Sequence, residues 1–166
     1  MSMQVAVVIT WMLLVVFAAS VKANYPDGTL VYSSKPSSVV GRVAKRMATR
    51  AQGYQATHTH VGIVLGGRVY HADYPRVEAK PIGQFKRGEI ASYQLPIRNY
   101  TPQQISAMRA YAQSQIGQPY RLRGFLRRDG SEGWCSTFVG QVLNRGGHSI
   151  SKRDRFTPDN LKRGLQ

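Results

Sequence analysis

The chain has 166 residues, a single cysteine, and 23 Lys+Arg against 8 Asp+Glu, for a formal net charge of +15. One cysteine excludes a disulfide-stapled miniprotein and a cysteine-rich zinc module, and the length excludes a multidomain enzyme. Hydrophobic residues make up 42% of the chain, enough for a packed core, so the charge bears on partners and not on fold: nucleic acid, a phospholipid surface or an acidic wall polymer.

Residues 5–19 are apolar except for Thr10. At about fifteen residues the run is shorter than the ~20 of a spanning helix. Val21 and Ala23 fit the −3 and −1 positions of a secretory cleavage site, so cleavage after Ala23 is expected. No Lys or Arg precedes the run, which keeps an uncleaved membrane anchor as the rival. Residues 1–23 are therefore read as signal peptide or N-terminal anchor, and 24–166 as one domain. Either way the domain lies outside the cytoplasm, secreted, periplasmic or anchored facing outward.

Asp27-Gly28 marks a turn and residues 29–33 a short strand. Ser37-Ser38 can cap a helix reaching about Ala51, with Val39, Val40, Val43 and Met47 apolar and Arg42, Lys45, Arg46 and Arg50 basic. Packing of the apolar stripe on the core is the main reading, contact with a phospholipid surface the alternative. Residues 60–65 and 68–72 form a hairpin around Gly66-Gly67, and further strands are expected near 76–79 and 90–95. Thr101-Pro102-Gln103-Gln104 opens a helix with Ile105, Met108, Ala112 and Ile116 as its stripe and Gly117 as its stop. An Arg- and Gly-rich loop, 118–133, leads to a helix over 135–144, and Thr157-Pro158-Asp159 opens a last short one. The mixture is α+β, with the strands in mid-chain and helices outside them.

Cys135 is the first chemical candidate, because a thiol at a helix start meets free N–H groups that favour thiolate. The same donors can hold an oxyanion. A thiolate nucleophile needs a base. With Gly66 and Gly67 as the turn, Leu65 faces Arg68, His60 faces Asp73 and His71 faces Gly62. His60 and His71 then lie diagonally on one face, roughly 7–8 Å apart at the backbone. His58 shares that face if the strand extends back, and His148 is expected at the surface. Metal binding by His58, His60 and His71 lacks a carboxylate or thiolate at motif spacing, so neither metal nor cofactor is expected.

Three blocks carry a family resemblance: Asp27-Gly28-Thr29-Leu30-Val31-Tyr32, Thr59-His60-Val61-Gly62-Ile63-Val64 and Trp134-Cys135-Ser136-Thr137-Phe138-Val139. Together they resemble the NlpC-type papain-like cysteine hydrolases. The His block precedes the Cys block, which is similar to the circularly permuted branch of YiiX/YebB-like hydrolases and lecithin:retinol acyltransferase-like enzymes. Gly117-Gln118-Pro119-Tyr120 and Thr157-Pro158-Asp159-Asn160-Leu161 extend the resemblance. It implies a central antiparallel sheet with the Cys-bearing helix packed on it, Cys135 as nucleophile, His60 as base and His71 as the group that orients it. Glu78 is the alternative to His71. The first block reads Asp-Gly where Gly-Asp is common in the family.

The implied activity is cleavage of an amide through an acyl-enzyme, with the stem peptides of peptidoglycan as leading substrate. A lipid amide or ester hydrolase or acyltransferase is the runner-up. A non-catalytic basic binding module, or a structural subunit of an envelope apparatus, is the alternative of another class. The expected partners are peptidoglycan or an anionic lipid surface, with membrane association through residues 1–23. Nucleic acid is not expected, because the basic residues are dispersed and an export segment precedes them.

Overall fold

Gly66 and Gly67 adopt φ values of 58° and 71°, the left-handed pair that a two-residue hairpin turn requires. The turn joins β2 (His60–Leu65) to β3 (Arg68–Ala72) in the expected register, Leu65 opposite Arg68, Val64 opposite Val69 and Ile63 opposite Tyr70. In the computed structural model, residues 25–34, 56–85, 90–120, 134–154 and 157–166 are described, with positions 42, 43, 46 and 49. The N-terminal apolar run, its cleavage site, Ser37-Ser38 and residues 121–133 lie outside the described residues. Among the described residues no helix is long and apolar enough to cross a membrane.

The sheet adds β1 (Leu30–Ser33), β4 (Val77–Pro81) and β5 (Ile90–Gln94), in the order β4-β3-β2-β1-β5 with antiparallel pairings. Strand alternation gives it two different faces. On one face Leu30, Tyr32, Val61, Ile63, Leu65, Tyr70, Ala72 and Val77 pack in a common core with Met108, Cys135, Phe138, Val139, Val142 and Leu143. On the other, Val31, Val64 and Val69 meet Tyr25, Ile82, Phe85 and Tyr93. The α+β class and the packing of the Cys-bearing helix on the sheet agree with the sequence expectation.

Four helices complete the described fold: α1 (Ile82–Phe85), α2 (Pro102–Ser114), α3 (Cys135–Arg145) and α4 (Pro158–Gly164). A full capping box starts α2: Thr101 Oγ1 accepts the Gln104 N–H, and Gln104 Oε1 accepts the Thr101 N–H. Met108 and Ala112 are buried as expected, but Ile116 lies beyond the helix end and is 49% exposed. Arg42, Val43, Arg46 and Thr49 are helical, and Val43 is 51% exposed, so at that position the apolar stripe does not bury. The Asp159 carboxylate accepts the N–H groups of Thr57 and His58, which ties α4 to the chain entering β2.

Gly62 has space for nothing larger. A methyl there would sit 2.5 Å from Val69 Cγ1, 3.2 Å from the Tyr70 carbonyl oxygen and 3.3 Å from His71 Cβ. Overpacking of this kind costs about 1–3 kcal/mol. Gly62→Ala should therefore lower the melting temperature by several degrees, read by circular dichroism; an unchanged melt would show that the hairpin gives way freely.

Candidate active site

His60 opens β2 and His71 stands near the end of β3, and both side chains lie on the Phe85 face of the sheet. His60 Nε2 and His71 Nδ1 are 3.0 Å apart, so one ring donates to the other. Their rings meet edge to face at 5.1 Å, with the Phe85 ring 5.0 Å from His71 and 5.9 Å from His60. Glu78, opposite His71 on β4, brings Oε1 to 3.4 Å from His71 Nε2 and is ion-paired with Lys80. The sequence alternatives for the orienting group thus form one series, His60, His71, Glu78. Asp73, one residue past β3, joins the group: donor atoms of His60, His71 and Asp73 all lie within 4.8 Å of one another. The spacing of the chain hid this carboxylate, although the register facing Asp73 with His60 could have disclosed it.

Burial decides the proton states here. It pushes His71 well below the usual imidazole range, helped by the neighbouring His60 and Lys80. Burial lowers His60 as well, with Lys80 acting in the same direction and Asp73 and Glu78 against it. Both imidazoles are accordingly neutral near pH 7, the form that can accept a proton or bind a cation.

Cys135 is the first residue of α3 and is buried, 5% exposed. Burial pushes the thiol up to about 12, against hydrogen bonds from the backbone of Val61, Ser136 and Cys135 itself, and so opposes the thiolate that the helix start favours. The Asp73 carboxylate adds to the rise. Among the described residues no hydrogen bond joins Cys135 to His60 or His71. The thiol lies on the helix-covered face and the imidazoles on the other. The Cys135 thiol meets the backbone of Val61, the residue after His60, and the Asp73 charge acts on both His60 and Cys135.

The other two histidines depart from expectation. His148 is half-buried, with Nε2 2.7 Å from Tyr100 Oη. His58 does not share the His60 face, because β2 begins only at His60. It turns to the helix side, where its ring tilts on Tyr32 at 5.0 Å. Its Nδ1 is 2.6 Å from Asp159 Oδ1 and its Nε2 3.2 Å from Ser92 Oγ. Among the described residues, His58 is not one of the donors that converge with His60 and His71. Nothing in the local sequence linked Asp159 or Ser92 to His58, which they reach from positions 101 and 34 residues away.

Two pH dependences follow. The unfolded chain protonates His71 near 6.5 while the folded chain resists, so stability is retained above 6.5 and declines as pH falls below it. The slope is up to about 1.4 kcal/mol per pH unit for each such group. Urea denaturation between pH 7.5 and 4.5 should show this decline, and His71→Gln should flatten it; an identical slope in the variant would place the acid lability elsewhere. For Cys135 the unfolded thiol ionises first above 9.0, so its contribution to stability is lost from 9.0 toward about 12. Iodoacetamide at pH 6 should then label folded Cys135 more slowly than the urea-unfolded chain; fast labelling would refute a buried neutral thiol.

No family model and no curated protein matches the chain. A solved structure does: the metalloprotein YiiX from Escherichia coli O157:H7 is similar in fold, with a TM-score of 0.56 and 21% identity over 76% of this chain and 69% of that one.

Proposed function

We propose that this chain is a cysteine hydrolase that cuts an amide bond through an acyl-thioester on Cys135, with His60 as base and His71 as the group that positions it. The observation that carries the reading is the approach of the thiol to the backbone of Val61, the residue after His60, at the start of a helix. The YiiX-like fold and the order of the chain, histidine strands before the cysteine helix, support the circularly permuted papain-like arrangement.

Neutral thiol and neutral imidazole define the resting state. A substrate carbonyl entering between them draws the Cys135 proton to His60 as the C–S bond forms. The thiol need not be hydrogen-bonded to its base beforehand, since such contacts often tighten only with substrate present. The N–H groups of Cys135 and Ser136 face the sulfur and serve the developing oxyanion. His60 passes the proton to the leaving amine, and water then cleaves the thioester. His71 holds the His60 ring, and Glu78 stands behind His71. The +15 charge suits an exported enzyme working on the acidic stem peptides of peptidoglycan, and an amide or ester of an anionic lipid is the second substrate class.

Purified protein incubated with muropeptides and with a lipid panel, read by mass spectrometry, tests this. Cys135→Ala should abolish product and His60→Ala should cost about 10²–10⁴ in rate, with the melts little changed. His71→Ala should slow turnover and shift its pH profile, which a purely structural role would not do. Full activity in Cys135→Ala would sink the proposal.

One observation favours a second reading. Two imidazoles and the Asp73 carboxylate converge within 4.8 Å, burial keeps the imidazoles neutral, and the YiiX structure is described as a metalloprotein. This donor set fits a divalent ion of the zinc type, held by His60, His71 and Asp73. Such an ion supplies Lewis-acid polarisation when bound. Activity that a chelator removes and zinc restores, and that Cys135→Ala leaves intact, would favour the metal; activity indifferent to chelators would favour the thiol.

A further inference from the structure

A second constellation lies across the sheet from His60 and His71 and does not depend on the reading of Cys135. His58 Nδ1 is 2.6 Å from Asp159 Oδ1, and on the opposite side of the ring His58 Nε2 is 3.2 Å from Ser92 Oγ. Lys162 Nζ lies 3.3 Å from the same Ser92 oxygen and 5.3 Å from the centroid of the Tyr32 ring.

The direction of each proton follows from these partners. Burial alone would raise Asp159, but hydrogen bonds from the His58 ring and the backbone of Thr57 and His58 outweigh it and hold the carboxylate below its ordinary range. Asp159 is therefore ionised and takes the Nδ1 proton of His58. With the ring neutral, Nε2 is the acceptor and the Ser92 hydroxyl donates to it. The Lys162 ammonium can only donate, and it points at the Ser92 oxygen. One hydroxyl thus has its proton on a base and its oxygen beside a cation. A merely structural network would satisfy Asp159 and His58 without needing either arrangement at Ser92. Ser92 and Lys162 are both half-buried, while His58 is only 8% exposed.

We infer that Ser92, His58 and Asp159, with Lys162, form a serine-nucleophile centre that takes small carboxylic esters. A triad is recognised by geometry and roles and not by sequence position. Ser92 Oγ bonds to the acyl carbon as the ester C–O bond breaks. The Oγ proton passes to His58 Nε2 and on to the departing alkoxide, which leaves as an alcohol. Water, deprotonated by His58, then cleaves the Ser92 ester and releases the carboxylic acid. Lys162 balances the charge on the tetrahedral oxygen, and Asp159 positions the His58 ring.

The test treats the full chain with a fluorophosphonate reagent and maps the adduct by peptide mass spectrometry, alongside hydrolysis of p-nitrophenyl acetate. The adduct should fall on Ser92 in the wild type and equally in Cys135→Ala, which separates this centre from the proposed thiol site. In the Cys135→Ala background, Ser92→Ala should give no adduct there and no ester hydrolysis above a denatured control. His58→Gln should slow labelling at least about a hundredfold, and Lys162→Met at least about tenfold. Asp159→Asn should slow labelling at saturating reagent without changing the half-saturating concentration, a split that loss of packing would not produce. Should His58→Gln or Asp159→Asn melt at the assay temperature, Ser92→Ala and Lys162→Met decide. No Ser92 adduct in the wild type, or wild-type rates in His58→Gln or Lys162→Met, would overturn the inference.

Discussion

The pairing of β2 with β3 is the constraint on which the rest depends. A two-glycine turn allows one register, and a slip of one residue would send every side chain to the other face. In the register observed, Val61, Ile63, Tyr70 and Ala72 meet the helices, and His60, His71, Val64 and Val69 meet Phe85 and Ile82. The hydrophobic residues that fix this choice also fix where the imidazoles go. Gly62 contributes by absence, since a side chain there would force Val69 and His71 away.

Once the side chains are sorted in this way, burial outweighs charge in setting their chemistry. The chain is strongly basic, and Lys80 stands near the His60–His71 pair, yet the largest influence on His60, His71 and Cys135 alike is removal from water. Each is pushed to its neutral form. A site built of neutral groups invests little in a resting ion pair and responds to what enters it, whether a polarised carbonyl or a cation.

Much of this was legible in the sequence. The hairpin, the capping box at Thr101, the start of α3 at Cys135 and the diagonal pairing of His60 with His71 all follow from local spacing, because turns, caps and strand alternation are local physics. What was not legible has a common cause. The protonation of Cys135 depends on how deeply the start of α3 is buried, and helix-end arguments do not measure that. Asp159 and Ser92 join His58 through the tertiary fold, and no period in the chain links positions so far apart. Ile116 followed the helical period beyond the point where the helix ends at Ser114.

His58 and His60 show how sharply a strand boundary can divide chemistry. Two residues apart within a strand would share a face and could share a ligand. The strand starts at His60, and just before it the Asp159 carboxylate takes the N–H groups of Thr57 and His58 as well as the His58 ring. Those bonds hold the backbone out of the pleat and turn His58 toward Tyr32 and Ser92 on the helix side. The same carboxylate is part of α4, so the docking of the last helix and the orientation of His58 are one event. A change that releases α4 would therefore disturb His58 directly, whereas His60, paired through β3 to His71, has its own support in the hairpin. The two histidine centres are adjacent in sequence yet anchored by different parts of the fold, which allows each to be altered without dismantling the other.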